Sequence, residues 1–291
     1  MNLRQAMTQF LKDWRDDLSA EWNKVLDGVE PDSAAVRENL TFSDAEPIFP
    51  GRKNKPIGGA PVGAHIFHAL DGIRPRDVRV IVVGQDPYPK ISQATGRSFE
   101  QGDLTDWPAN QKVIADSLQR IMQVLLVART GNAAYGGSDA NWTRVIADRQ
   151  SGALTLESPK ALFDGLQKQA VLFLNAGLTL TRFKAGGSPE QLQGHIPLWR
   201  PIVEAILRHA AMRSQGQVVF VLWGSKAKGV FNQSKIRQGA EQAGTWEKRV
   251  AAVEHPRPNS QPNGKPFFDP PNSFVEVNRL LTKMGGQPIR W

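Results

Sequence analysis

The 291-residue sequence contains no cysteine. This absence excludes disulfide bonds, thiolate nucleophiles, iron–sulfur clusters and zinc sites built on cysteine. Long apolar runs are also missing: the longest ones have the length of a strand, well short of the ~20 residues that a membrane helix needs. The G-x-S-x-G elbow, the Walker loop and the dinucleotide-binding G-x-G-x-x-G do not occur either. No common nucleophile or phosphate-binding motif therefore assigns a chemistry to this chain.

Acidic residues are outnumbered by basic ones, 28 to 36, which gives a formal charge of +8. A basic surplus favours a polyanionic partner, and nucleic acid is the main candidate. The first 26 residues carry apolar side chains at helical spacing with acidic residues between them, a pattern that a mitochondrial presequence avoids. We expect a cytoplasmic protein, associated with the nucleoid if the source is bacterial.

Four short apolar runs are each followed by a polar or glycine-containing turn. Runs rich in Val, Ile and Leu without alternation are typical of strands in a sheet that is covered on both faces. Helical patterns separate them, which predicts one α/β domain with a central, mostly parallel four-stranded sheet and helices on both faces. The runs are residues 78–83, 170–174, 217–223 and 250–253.

The flanking regions predict a simple domain organisation. Residues 1–45 form an N-terminal helical segment packed on the core, and residues 46–291 form the α/β domain. Residues 130–159, which contain several Gly and Ser, read as an insertion or surface loop. A last helix follows Ser273, which together with Glu276 matches a capping box.

Polar residues follow each of the four predicted strands. The carboxyl ends of parallel strands meet at one edge of a sheet, where ligands bind, so we expect these residues to converge there. They are Gln85 with Asp86, Asn175, Ser225 and His255. Two other histidines, His65 and His68, have a spacing that could share a helix face; a core edge or a solvated surface is favoured over a metal site for them.

One segment is especially informative: residues 84–89 (GQDPYP), where two prolines hold the tyrosine rigidly after a buried strand. This segment and four others, in the same order, resemble the motifs of the family 1 uracil-DNA glycosylases over about residues 60–291. The others are Gln93-Ala94-x-Gly96-x-x-Phe99, residues 172–175 (LFLN), residues 219–225 (VFVLWGS) and residues 255–260 (HPRPNS), with a similar C-terminus at residues 288–291.

The resemblance implies a monofunctional enzyme that hydrolyses the N-glycosidic bond of a flipped-out deoxyuridine, releases uracil and initiates base excision repair. It implies that Asp86 orients the attacking water and that His255, as a neutral ring, donates to a uracil oxygen. Substrate contacts are implied for Gln85 through its backbone, Tyr88 against the position of a thymine methyl, Phe99 by stacking and Asn175 by reading the uracil edge.

The resemblance also implies a monomer that acts on uracil-containing DNA, single- or double-stranded, without a metal, cofactor or membrane. DNA contacts are predicted for Asn110, Ser225, Arg257, Asn259 and Ser260.

The sequence departs from the family pattern mainly in these DNA-contacting loops. Pro89 replaces a histidine, Arg257 a phosphate-pinching serine, and Asn110 a serine of a DNA-gripping loop. Asn259 replaces the leucine that fills the emptied base stack. Arg257 could then fill that gap or grip a phosphate; alternatively, the enzyme favours single strands. Two other functions stay open: a glycosylase with broadened base specificity, or a catalytically weak or inactive DNA-binding scaffold.

Overall fold

The computed structural model describes residues 1–184, 187–259 and 265–291. One sheet has the strand order β2-β1-β3-β4, and all of its pairs are parallel. Its strands are β1 (Val80–Gly84), β2 (Val171–Asn175), β3 (Val218–Trp223) and β4 (Val250–His255). The predicted four-stranded sheet is confirmed. Gly84 lies opposite Asn175, and Trp223 lies opposite His255. The strands therefore end at one common edge.

Helices cover the sheet and its flanks. They are α1 (Leu3–Phe10), α2 (Ala20–Val25), α3 (Asp116–Thr130), α4 (Trp142–Gln150), α5 (Pro159–Lys168), α6 (Ile196–Met212), α7 (Gly224–Gln233), α8 (Ile236–Gln242), α9 (Lys265–Phe268) and α10 (Ser273–Lys283). In the described part of the chain, no helix has both the length and the apolar character needed to cross a membrane.

The strands bury side chains on both faces of the sheet, as predicted. Along β1, Ile81 and Val83 pack into a core that contains α6, while Val80 and Val82 pack into a second core that contains α3 and α10. The N-terminal segment contributes to the first of these cores, and the indole N–H of Trp22 donates to the carbonyl of Ile73 at 2.8 Å. Removal of this apolar surface from water provides most of the folding free energy.

Residues 130–159 are not the surface loop that their composition predicts. They contain α4, whose Trp142 is fully buried and donates its indole N–H to the carbonyl of Pro108 at 2.8 Å. A buried tryptophan removes a large apolar area from water, and this gain outweighs the local preference of glycine and serine for loops.

The capping box predicted for the last helix is also wrong by one residue. The side chain of Asn272 caps α10 by accepting from the backbone N–H groups of Phe274 and Val275. Ser273 instead accepts a hydrogen bond at 3.1 Å from the indole of Trp223, at the end of β3. The Ser273 hydroxyl, predicted to cap the helix, thus has a tertiary hydrogen-bond partner, Trp223, instead.

Candidate active site

A cavity of about 420 Å³ opens at the carboxyl edge of the sheet. It lies between the segment that follows β1 and the start of α7, where the chain switches from one side of β1 to the other. Ligands of open α/β sheets bind at such a switch point. The predicted residues among its lining are Gln85, Asp86, Tyr88, Phe99, Asn175, Ser225, Arg257 and Asn259.

Asp86 presents its carboxylate to this cavity from a half-buried position. Burial raises the pKa of Asp86 to about 6, against a weaker opposing effect of the Gln85 side chain. That side chain donates from Nε2 to Oδ2 of Asp86 at 3.2 Å. A carboxylate with a pKa near neutrality is suited to accept a proton from water while it remains largely ionised at pH 7.

Asn175 ends β2, opposite Gly84, and lines the same cavity as Asp86. Its side chain is 2% exposed, and its Oδ1 has no hydrogen-bond partner among the described residues. Gly84 makes this position available, because a Cβ on residue 84 would lie only 2.4 Å from that oxygen. A buried acceptor without a partner costs ~1–3 kcal/mol, and a ligand that donates to Asn175 would remove this cost.

Tyr88 is held by a residue that the sequence motifs did not reveal. Its hydroxyl lies 3.2 Å from Oγ of Ser117 and 3.4 Å from the carbonyl of Phe99. Burial raises the pKa of Tyr88, so the phenol stays protonated. Ser117 belongs to the first turn of α3 and lines the cavity; its nearness to Tyr88 depends on tertiary packing.

Asn110, which is predicted to contact DNA, lies outside the cavity lining. It is exposed, and its Oδ1 accepts from the backbone N–H of Lys112 at 3.1 Å. Seven residues further along, Ser117 occupies the cavity wall. A serine from this region therefore lines the cavity, and the DNA contact of Asn110 stays a prediction.

Phe99 has a backbone conformation that is rare for a side chain of its size, with φ of 63°. Bulky residues persist in this left-handed region only where surrounding contacts hold them, and such positions cluster at functional sites. The ring of Phe99 packs at 5.4 Å against Trp223, at an interplanar angle of 67°. Phe99 therefore forms a fixed aromatic wall of the cavity.

The start of α7 forms the opposite wall. Gly224 has φ of +82°, and a Cβ there would lie 2.8 Å from Cβ of Arg257, so glycine allows the loop after β4 to pack against this helix. Ser225 and Lys226 line the cavity, and no side chain caps the first N–H groups of α7. Free N–H groups, a hydroxyl and two cationic side chains together favour an anion at this rim.

His255 is buried at the end of β4 but is not among the residues that line the cavity. Its Nε2 lies 3.0 Å from the carbonyl oxygen of Asp269. A carbonyl only accepts, so in the neutral ring Nε2 carries the proton and Nδ1 is an acceptor. Nδ1 is buried without a partner among the described residues. The proton expected to reach the substrate is thus engaged by Asp269.

The loop after β4 is anchored by Arg120 of α3, which is only 4% exposed. Its Nη1 donates to the carbonyl of Pro258 at 2.9 Å, while Nε and Nη2 donate to the two carboxylate oxygens of Asp139 at 2.7 and 2.6 Å. Asp139 lies in the 130–159 segment. The sequence does not predict this arrangement, since no local signal connects residues 120, 139 and 258. Ser260, also predicted to contact DNA, lies outside the described residues.

The two other candidate histidines have structural partners. His65 is buried, and its Nε2 lies 2.7 Å from Oδ2 of Asp71. Nδ1 of His68 lies 3.0 Å from the carbonyl of Thr95, and burial, with a smaller effect of Arg97, lowers the pKa of His68 to about 4. Within residues 1–184, 187–259 and 265–291, no three His, Asp or Glu side chains are grouped to hold a metal ion.

Fold and cavity together define an α/β protein with a polar, aromatic-walled ligand site at the carboxyl ends of its strands. The model of the uracil DNA glycosylase superfamily matches residues 71–282 of the chain. The chain belongs to this superfamily, and the resemblance to it is confirmed.

Individual relatives agree with this assignment. The chain is 28% identical to a uracil-DNA glycosylase of Chromobacterium violaceum over 271 residues, which cover 93% of this chain and 90% of that protein. It is 30% identical to a uracil-DNA glycosylase of Lacticaseibacillus casei over 227 residues, 78% of this chain and 77% of that protein. The crystal structure of UNG from Nitratifractor salsuginis shares the fold, with a TM-score of 0.57, 21% identity and coverage of 87% and 88% of the two chains.

Proposed function

We propose that this protein is a uracil-DNA glycosylase that hydrolyses the N-glycosidic bond of deoxyuridine in DNA and leaves an abasic site. The observation that carries the proposal is the pairing of Asp86 and Asn175 in one cavity, an ionisable carboxylate beside an unsatisfied buried amide. Asp86 acts on the sugar, and Asn175 binds the base. The cavity lies beyond the strand ends, so a base reaches it only after leaving the duplex stack.

In the proposed reaction, the bond between C1′ and N1 breaks, and its electron pair leaves on uracil. The sugar gains oxocarbenium character, which the negative charge of Asp86 stabilises. A water oxygen then bonds to C1′, and its proton passes to the Asp86 carboxylate. Sugar–sugar glycosidases use two carboxylates. A uracil anion leaves more readily than a sugar alkoxide, so one carboxylate suffices and no metal or cofactor takes part.

Base recognition is assigned to the walls of the cavity. The side-chain amide of Asn175 offers both an acceptor and a donor, which matches the edge of uracil. Phe99 stacks on the ring, and Tyr88 fills the space that the methyl group of thymine would need. The Ser117 hydrogen bond and the flanking prolines support this role, because they keep Tyr88 in place.

His255 is assigned to the developing negative charge on a uracil oxygen, as oxyanion-type stabilisation. In the described conformation its Nε2–H donates to the carbonyl of Asp269. The loop after β4 therefore changes when DNA binds: the Nε2–H of His255 releases the carbonyl of Asp269 and donates to the uracil oxygen instead. Ser225, Lys226 and Arg257 grip the backbone phosphates beside the flipped nucleotide.

We further propose that the protein works as a monomer in the cytoplasm, with DNA as its partner. The net charge of +8 supports the DNA partner. The family resemblance is the basis for the monomer. Sedimentation of the free protein measures the oligomeric state, and a dimer would refute the proposed monomer.

The deciding experiment uses oligonucleotides that carry uracil, mismatched thymine, hypoxanthine or no lesion, with abasic sites scored after alkaline cleavage. We expect abasic sites at uracil only. Asp86→Asn should lower excision by orders of magnitude and retain DNA binding. Excision of several bases would favour broadened specificity, and binding without excision by the wild type would favour a scaffold.

A further inference from the structure

Phe183 is an exposed aromatic residue at the mouth of the cavity. It is 60% exposed and belongs to the cavity lining. Isolated exposed apolar residues are normal on protein surfaces and usually need no explanation. Phe183 differs from the other large exposed apolar residues of the described chain because it lines the cavity and they do not. These are Met1, Val62, Val113, Leu192, Met212 and Val275.

The backbone that carries Phe183 is anchored from several sides. The guanidinium of Arg182 pairs with Glu46 and with Glu190, the latter at 2.9 Å. The carbonyl of Arg182 accepts from Oγ of Ser188 at 3.4 Å. Slightly upstream, Leu180 exchanges two backbone hydrogen bonds with Phe49, at 2.9 and 2.7 Å. The aromatic ring thus extends into solvent from an anchored base, which lowers the entropic cost of using it as a contact.

Within residues 256–259, the described part of the loop after β4, no large apolar side chain is exposed at the same rim. Asn259 is exposed and polar, and Arg257 is exposed and cationic. Lys226 adds a second cation to the cavity lining. These groups suit phosphates, while the side chains that proteins insert between bases are frequently apolar.

We infer that Phe183 is the side chain that enters the base stack when the target nucleotide leaves it. The inference rests on the proposed function and extends it with a wedge from the segment after β2. Proteins that unstack duplex DNA commonly insert an apolar residue between bases, because the insertion replaces part of the lost stacking. Phe183 reaches the DNA from across the cavity, with phosphate contacts from Ser225, Lys226 and Arg257 on the other side. Excision from duplexes should consequently depend on Phe183 more than excision from single strands, where little stacking is lost.

The test compares kcat/KM on matched single- and double-stranded uracil oligonucleotides. Phe183→Ala should lower the duplex-to-single-strand ratio at least tenfold, and Phe183→Leu, which retains an apolar wedge, should recover most of it. Val275→Ala, which shortens another largely exposed apolar side chain away from the cavity, is the matched control and should leave the ratio unchanged.

A second measurement detects unstacking directly. In the Asp86→Asn background, 2-aminopurine beside the uracil should become brighter when the duplex is bound, and adding Phe183→Ala should abolish that increase. An unchanged ratio together with an unchanged fluorescence increase would refute the inference. An equal loss on both substrates would also refute it and would make Phe183 a stacking surface for single strands. Absence of uracil excision by the wild type on either substrate would instead refute the proposed function.

Discussion

Nη1 of Arg120 donates to the carbonyl of Pro258 at 2.9 Å and thereby connects α3 to the loop that follows β4. Asp139 holds the other side of the same guanidinium with two hydrogen bonds, and this side-chain hydrogen bonding raises the pKa of Arg120. The 130–159 segment therefore supports a loop that carries predicted DNA contacts. Charged hydrogen bonds of this type are worth about 1.5–3 kcal/mol each, enough to select one loop conformation.

We expect Asp139→Asn to raise KM for duplex uracil DNA about tenfold, with a smaller effect on kcat, because a loosened loop presents Arg257 and Asn259 less often. Steady-state kinetics on one duplex measures the two constants. Asp148→Asn is the control: Asp148 lies in the same segment and pairs with Arg144, which has no contact to Pro258. Equal KM changes in the two variants would show that the Arg120–Asp139 pair supports only general stability.

The raised pKa of Asp86 predicts the pH dependence of excision. The reaction needs the carboxylate, and burial keeps the proton on Asp86 up to a pH of about 6. Single-turnover rates should therefore be constant above that pH and fall about tenfold per unit below it. A rate that stays level down to about pH 5 would contradict this assignment.

Asp86 also predicts a stability change of defined sign. Its pKa is higher in the folded protein than the ordinary value of 3.8, so the ionised form destabilises the fold above pH 6, and the cost disappears as pH falls toward 3.8. Asp86→Asn should consequently raise Tm at about pH 8, by an amount that shrinks at acidic pH. Thermal melts at several pH values test this; a constant difference across them would oppose it.

Tyr88 is expected to exclude thymine. Tyr88→Ala removes the ring that occupies the place of the thymine methyl group, and thymine release from mismatched duplexes should become measurable. Tyr88→Phe loses the hydrogen bond to Ser117 but keeps the ring, so thymine should remain excluded. Release of free thymine is measured by chromatography. If Tyr88→Ala discriminates as well as the wild type, another residue forms the barrier.

Arg257 is expected to bind a phosphate. Each neutralised phosphate contributes about 0.9 to the slope of log affinity against log salt concentration for duplex DNA, so Arg257→Ala should reduce the slope by about that amount. Binding is measured with an uncleavable duplex at several salt concentrations. Arg237→Ala is the control, since Arg237 pairs with Glu241 on α8 and does not line the cavity. The same slope in wild type and Arg257→Ala would remove Arg257 from the phosphate contacts.

The local sequence predicted the secondary-structure elements that depend on residues adjacent in the chain. The four strands lie within two residues of the predicted runs, because a continuous apolar run is stable only when both faces are covered. The placement of Asp86 and Asn175 at the cavity has a related cause, because residues at or just beyond the carboxyl end of a parallel strand lie at the ligand edge. The local sequence did not predict that Asn272 caps α10. The hydroxyl of Ser273 accepts a hydrogen bond from Trp223 of a distant strand and is therefore not the cap.

By itself, the sequence determined the sheet, its polar edge and the superfamily, since these depend on residues that are neighbours in the chain. Only the tertiary structure decided that Ser117 lies at the cavity beside Tyr88, that the His255 proton faces Asp269, and that Phe183 is exposed beside the cavity. The physical reason is the same for all three. Each depends on hydrogen bonds or packing between segments far apart in sequence, and no local pattern encodes which of several possible partners a side chain meets.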